Sequence, residues 1–388
     1  VKVNKESLVK PSVLCVFGTR PEAVKMAPVV KALQQAPDLE VKVCVTAQHR
    51  QMLDQVLDLF GIQPDHDLDL MQPGQTLPEL TSRVLTQLTP VLVAEKPALV
   101  LVHGDTSTTF SASLAAFYQQ IPVGHVEAGL RTDDMYNPFP EEMNRRLTTQ
   151  LSSLHFAPTP QSVANLHEDG VSAGIFLTGN TVIDALLETA ARIEPEPRPG
   201  RTILVTAHRR ENWGEPLRDI CLAVRDLVER NPDVRVVFPV HLNPLVQDTA
   251  REILGDLDRV SLIAPLDYAP FVKAMKEATL ILTDSGGVQE EGPSLGKPVL
   301  VMRTTTERPE AVAAGTVRLV GVKRADIFRN AQELLDDAEA YRRMANAVNP
   351  YGDGQAAKRH VEAIRYFLGL RQDRPHDEFE PGRAPSAC

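Results

Sequence analysis

The run Leu280-Ile281-Leu282-Thr283, followed by Asp284-Ser285-Gly286-Gly287-Val288-Gln289-Glu290-Glu291, decides the fold. A short apolar stretch ends in a Ser-Gly-Gly turn, and a carboxylate pair follows about one helical turn later. The stretch reads as a buried parallel strand and the turn as the opening of a helix. Glycines let a ligand approach the backbone, and the N–H groups and dipole of a helix N-terminus favour an anion. A carboxylate just inside such a helix can accept hydrogen bonds from ribose hydroxyls. Together these features point to a nucleoside diphosphate, although an ordinary strand–turn–helix connection has the same outline.

Similar units recur on both sides of this run. Apolar strand patterns fall at 12–17, 41–46, 98–102 and 123–126, and again at 202–206, 234–239, 280–283, 299–302 and 316–320. Helical patterns at 22–35 and 51–60 follow the first two. Continuous apolar strands separated by helices signal parallel sheets covered on both faces. Between the two series lies Glu194-Pro195-Glu196-Pro197-Arg198-Pro199-Gly200, which can continue neither a helix nor a central strand. The expected fold is α/β, with two Rossmann-like doubly wound domains and a cleft between them. Residues 1–178 with 355–370 form the first domain and 179–354 the second; 371–388, proline-rich and aperiodic, is expected to be a disordered tail.

Composition narrows the function. The chain has 388 residues, enough for two domains, with 43% hydrophobic and 24% charged residues. A formal charge of −10 argues against a nucleic-acid partner, so an anionic ligand needs a local basic site. No apolar run approaches the roughly 20 residues that span a bilayer. The polar segment 1–11 has no signal-type core, so the expected location is cytoplasmic. Cys15, Cys44, Cys221 and Cys388 are widely spaced, and the first two lie in strand patterns as small core residues.

In open parallel sheets, ligands bind beyond the carboxyl ends of the strands. Arg20, Asp105, Glu127, His208, His241 and Ser285 all fall at or just after such ends. Arg20 can grip phosphate with its forked donors, with Lys25 one turn on; pairing of Arg20 with Glu22 is the bland alternative. Asp105, Glu127 and Glu141 are candidate acid–base groups for one sugar ring, against helix capping by Asp105 and simple solvated charge for the others. His208, beside Arg209 and Arg210, suits a phosphate-facing or acid–base role. His103-x-Asp105 and His125-x-Glu127 lack a metal-ligand set, so no metal is expected. Gly352-Asp353-Gly354 matches a dinucleotide pattern but follows no strand, so no nicotinamide cofactor is expected either.

Several segments taken together resemble the bacterial non-hydrolysing UDP-N-acetylglucosamine 2-epimerases. They include Gly18-Thr19-Arg20-Pro21-Glu22, His103-Gly104-Asp105-Thr106, Gly124-His125-Val126-Glu127-Ala128-Gly129, Gly179-Asn180-Thr181, His208-Arg209-Arg210-Glu211-Asn212 and Asp284-Ser285-Gly286-Gly287-Val288-Gln289-Glu290-Glu291. The resemblance runs in order over about residues 12–370 and implies the glycosyltransferase B-type arrangement of two domains. It implies interconversion of UDP-N-acetylglucosamine and UDP-N-acetylmannosamine by elimination and re-addition of UDP through a 2-acetamidoglucal. It also implies a homodimer without cofactor, and a second UDP-N-acetylglucosamine acting as an activator. By matched motif, Asp105, Glu127, Glu141 and His208 are the catalytic set, with either Asp105 or Glu141 as the carbon-2 base. Arg20, Lys25, Phe271, Ser285, Gly286, Gly287, Glu291 and Arg308 would bind substrate, while Gln48, Gln51, Gln75, Arg209 and His241 would line the activator site. The alternatives are a 2-epimerase of another UDP-amino sugar, such as a diacetamido-glucuronate, a glycosyltransferase of the same fold, and a binding protein without catalysis.

Overall fold

The computed structural model describes residues 10–47, 50–72, 74–132, 134–196 and 199–381. The chain forms two compact units. The first extends to Ala185 and resumes over Gly354–Glu380, and the second covers Leu186–Asp353.

The first unit holds strands β1 (Ser12–Phe17), β2 (Glu40–Val45), β3 (His66–Asp67), β4 (Leu99–His103), β5 (Val123–Val126), β6 (Leu154–Ala157) and β7 (Ile175–Leu177). They form one sheet in the order β3-β2-β1-β4-β5-β6-β7, with every pair parallel. The second unit repeats the plan with β8 (Arg201–Thr206), β9 (Val234–Pro239), β10 (Val260–Ile263), β11 (Leu280–Thr283), β12 (Val299–Val301) and β13 (Val317–Leu319). Their order is β10-β9-β8-β11-β12-β13, again all parallel. In each sheet the direction of travel reverses once, between β1 and β4 and between β8 and β11. At such a switch point the two following loops diverge and leave a crevice at the strands' carboxyl ends.

The central strands are apolar throughout because helices cover both faces. All of Leu99–His103 and Leu280–Thr283 is buried. Cys15, Cys44 and Cys221 are buried free thiols, as expected of core residues, and burial pushes Cys44 and Cys221 up to about 12. Cys388 lies outside the described residues.

Four strands, β3, β6, β7 and β10, have no counterpart in the sequence reading. β3 and β7, of two and three residues, cannot display a period; β6 is a four-residue run interrupted by His155, and β10, half-exposed at an edge, carries a serine between its apolar residues.

The expectation of a disordered tail fails for residues 371–381. Phe379 is 2% exposed, and its N–H donates to Leu177 O of the edge strand β7 at 2.9 Å. Arg359 donates to both Asp377 O (3.0 Å) and Thr178 O (3.2 Å), while the Arg374 guanidinium lies 4.6 Å from the Phe176 ring centre. Composition signalled disorder, but one aromatic anchor and paired arginines hold the segment along an otherwise unpaired sheet edge.

Candidate functional site

In the first unit the switch-point loops carry Arg20 and Asp105. The helix Arg20–Gln34 after β1 is closed by its own residues: Thr19 is the N-cap, with Glu22 completing a capping box. Glu22, 2% exposed, accepts from Gly18 N–H (3.0 Å) and Thr19 N–H (2.7 Å) and from the hydroxyls of Thr106 (2.7 Å) and Thr109 (3.1 Å). One carboxylate therefore ties the β1 loop to the β4 loop. Glu22 is committed to those donors, and Arg20, half-buried, has no hydrogen bond or ion pair with any described residue.

Asp105 does not cap the next helix; Thr106 does, accepting from Thr109 N–H at 3.1 Å. The Asp105 carboxylate instead receives Arg145 Nη2, and its carbonyl accepts from Asn144 Nδ2 at 2.9 Å. Both partners lie on the helix Glu141–Leu151. Glu141 sits four residues before Arg145, on the same helix face, and is half-buried with no partner among the described residues. The neighbouring Glu142 is fully buried and bonds Arg146 and Thr132 N–H, so it is structural.

Glu127, just beyond β5, has φ 62°, the left-handed region that a non-glycine residue enters at a cost of about 1–3 kcal/mol. Lys25 and Asn180 (2.9 Å) donate to its carboxylate, and His103 Nε2 lies 3.7 Å away. Burial pushes this carboxyl up, but Lys25 and His103 outweigh it and hold the group well below the ordinary 4.5. Glu127 is thus ionised at neutral pH. His125 donates to Gly104 O at 2.7 Å, and burial lowers it to about 3, so it stays neutral and braces the turn before Asp105.

The second unit presents a different surface. The helix Gly286–Ser294 begins directly after β11, and no side chain caps it. Its first amide N–H groups therefore have no intrahelical partner, which makes an anion site. A Cβ added at Gly286 would lie 3.8 Å from Arg209 Nη2 and 4.0 Å from Arg308 Nη2, so two guanidiniums flank the turn. Glu290, buried beneath, receives Arg308 Nε and aims that side chain. Glu291, 7% exposed, accepts from the Tyr268 hydroxyl at 3.0 Å. Phe271 lies three residues beyond Tyr268 on the helix Tyr268–Glu277 and is half-buried. Asp284 is wholly buried and binds His208 Nδ1 at 2.9 Å.

The structure thus gathers Arg20, Lys25, Asp105, Glu127 and Glu141 at one end of the first sheet. His208, Arg209, Phe271, Ser285, Gly286, Gly287, Glu291 and Arg308 gather in the second unit. Of the expected activator residues, Gln51 is exposed, Gln75 accepts from Arg83 at 3.2 Å, and exposed His241 lies 6.4 Å, ring centre to centre, from Trp213. Gln48 lies outside the described residues. Asp284, Asn180 and Glu290 stand in the quoted motifs but were given no role of their own, and Arg145 was not singled out at all. Local signals were there: Asp284 has its place at a strand end, Glu290 its place in the carboxylate pair, and Arg145 its helical spacing from Glu141.

A family model described as UDP-N-acetylglucosamine 2-epimerase matches residues 31–365. The chain is 57% identical over 371 residues to the UDP-N-acetylglucosamine 2-epimerase of Escherichia coli K12, covering 91% of this chain and 98% of that relative. It is also similar to the Neisseria meningitidis UDP-GlcNAc 2-epimerase solved bound to UDP-GlcNAc. That match has a TM-score of 0.82 and 52% identity, over 91% of this chain and 99% of that one. The Methanocaldococcus jannaschii UDP-GlcNAc 2-epimerase, solved in complex with UDP-GlcNAc and UDP, matches with a TM-score of 0.74 and 32% identity, over 92% and 99% of the two chains.

Proposed function

The chain belongs to the UDP-N-acetylglucosamine 2-epimerase family, and from that membership we propose how its residues interconvert UDP-N-acetylglucosamine and UDP-N-acetylmannosamine. The enzyme is an isomerase of this nucleotide sugar. The hydrogen on carbon 2 is not next to a carbonyl, so removing it alone would leave an unstabilised carbanion. Elimination of UDP across carbons 1 and 2 avoids this by forming a 2-acetamidoglucal, to which UDP adds back with the opposite configuration.

The second unit retains UDP throughout. The N–H groups of Gly286 and Gly287, with Ser285 and Arg308, hold the diphosphate and stabilise its charge as it departs. Glu291 accepts the ribose hydroxyls and Phe271 packs on uracil. In the first unit Arg20 and Lys25 face the diphosphate and sugar. Inversion at carbon 2 needs a proton removed on one face and returned on the other, so two acid–base groups are required. Asp105, held by Arg145, and Glu141, one turn before Arg145 on the same helix, fit that pair. Glu127, kept ionised by Lys25, orients the sugar. Two observations of like kind support the assignment: catalytic candidates stand at the switch point of one sheet, and an uncapped, arginine-flanked helix stands at the switch point of the other.

The M. jannaschii complex with two nucleotide ligands and the family resemblance support a second reading: a further UDP-N-acetylglucosamine activates the enzyme near Gln51, Gln75, Arg209 and His241. Homodimer formation and a cytoplasmic location rest on family membership. Among the described residues no helix is long and apolar enough to cross a membrane.

Incubation with UDP-N-acetylglucosamine in deuterated water, followed by NMR, tests both readings. The mannose-configured product carries deuterium at carbon 2. UDP-N-acetylmannosamine supplied alone reacts after a lag that added UDP-N-acetylglucosamine removes. Product without deuterium would overturn the elimination route, and an immediate full rate would overturn the activator.

A further inference from the structure

Asp284 holds four donors at once. It accepts from the backbone N–H groups of His208 (2.9 Å) and Arg209 (2.9 Å) and from the Asn212 side-chain amide (3.0 Å), and it lies 2.9 Å from His208 Nδ1. A carboxylate fixed by three other donors cannot turn away from the ring, so the ring takes its orientation from the carboxylate. An ionised carboxylate only accepts, so Nδ1 must carry the proton. Burial pushes Asp284 up, yet His208 and the backbone donors hold it below the ordinary carboxylate value, in keeping with an ionised group. Nε2 then lies across the ring from Asp284; the imidazole is 48% exposed while the carboxylate is 0% exposed. The residue after Asp284 is Ser285, the N-cap position of the helix whose first turn no side chain caps, so the carboxylate that holds the histidine directly precedes the anion-binding turn.

We infer that Asp284 is a positioning residue for the epimerisation: it presents Nε2 of His208 beside the Ser285–Gly287 turn as the group that protonates the departing diphosphate. This rests on His208 belonging to the catalytic set. In elimination the carbon 1–oxygen bond breaks and its electron pair passes to a β-phosphate oxygen. The carbon 2–hydrogen bond breaks, its proton goes to a carboxylate of the first unit, and its electron pair forms the double bond. The Nε2 proton of the imidazolium moves to the phosphate oxygen, leaving a neutral imidazole. Re-addition runs the same transfers backwards. Asp284 takes no proton itself; it sets the tautomer and stabilises the charged ring.

The test begins with the unaltered enzyme. NMR of protein labelled with nitrogen-15 histidine shows the neutral His208 ring protonated on Nδ1; a ring protonated on Nε2 with Nδ1 bare overturns the inference. Asp284→Asn can keep an oxygen toward the two backbone donors but turns a donor toward Nδ1. It lowers kcat about 100-fold, with KM changed by less than about threefold. The double variant Asp284→Asn with His208→Asn is no slower than His208→Asn alone, since both changes remove one function. Losses that multiply would make Asp284 merely structural. If His208→Asn itself keeps the original kcat, the catalytic reading of His208 fails. If that variant is inactive while Asp284→Asn keeps full kcat, only the inference about Asp284 fails. An Asp284→Asn chain that does not fold leaves the labelled histidine of the unaltered enzyme to decide.

Discussion

Glu127 is kept charged by partners far along the chain: Lys25 stands 102 residues away and Asn180 stands 53 residues away. Removing one partner of a buried ion pair leaves the other charge uncompensated, at a cost of about 3–5 kcal/mol. Lys25→Met is therefore expected to destabilise the enzyme by about 3 kcal/mol near neutral pH, less whatever Glu127 recovers by taking up a proton. The pH dependence has a definite sign. A folded-state pKa below the ordinary 4.5 gives stability that is fully present above that value and is lost as pH falls through the folded pKa. In the variant the charge and hydrogen bond of Lys25 are gone while the burial stays, so Glu127 titrates higher than in the unaltered enzyme. The stability gap to the unaltered enzyme therefore narrows between about pH 7 and about pH 4. Urea unfolding at both values reads it, and an unchanged gap would mean that Lys25 does not hold Glu127 in its charged form.

Two glycines of the helix Gly286–Ser294 separate binding from packing within a single element. At Gly286 an added Cβ meets nothing closer than 3.8 Å, and only the ends of two arginines. At Gly292 it would lie 2.7 Å from Val299 Cγ2 and 3.2 Å from Ile281 Cδ1, inside the contact between helix and sheet. Gly286→Ala is expected to change stability by no more than about 0.5 kcal/mol while weakening UDP binding about tenfold or more, because the methyl occupies the phosphate's place. Gly292→Ala is expected to cost about 1–3 kcal/mol from overpacking. Calorimetry with UDP and thermal denaturation of both variants distinguish the two. Intact UDP affinity in Gly286→Ala would remove this turn from the nucleotide site. The helix Ala356–Phe367, which follows the dinucleotide-like Gly352-Asp353-Gly354, provides a control within the chain. Asp184 already accepts its first N–H groups at 3.2 and 2.9 Å, so that N-terminus is occupied by the protein itself.

Across the whole molecule, the chain's return to its first unit and the strapped tail matter most. Phe379 fills a buried place against that unit, and truncating a buried Phe to Ala costs about 3–5 kcal/mol. Phe379→Ala is expected to lower stability by about 3 kcal/mol and leave UDP affinity unchanged, since the proposed UDP contacts belong to the second unit. Urea unfolding paired with UDP calorimetry checks this. A fully stable variant would show that the tail's packing contributes nothing.

Much of this protein is local information and could be read directly. The apolar runs 12–17 and 280–283, the Ser-Gly-Gly turn and the strand-end placing of Arg20, Asp105, Glu127 and His208 follow from periodicity and turn chemistry over a few residues. These features fixed the α/β class and pointed to an anionic ligand. What no local pattern could decide is which groups meet. Arg145 reaches Asp105 across 40 residues and His208 reaches Asp284 across 76, because the order of strands in a sheet brings them together. The same holds for capping, where Thr106 displaces the Asp105 reading, for the charge on Glu127, and for the tail that composition marked as disordered. Partner choice, burial and pKa depend on distances through space, and those exist only once the sheets have formed.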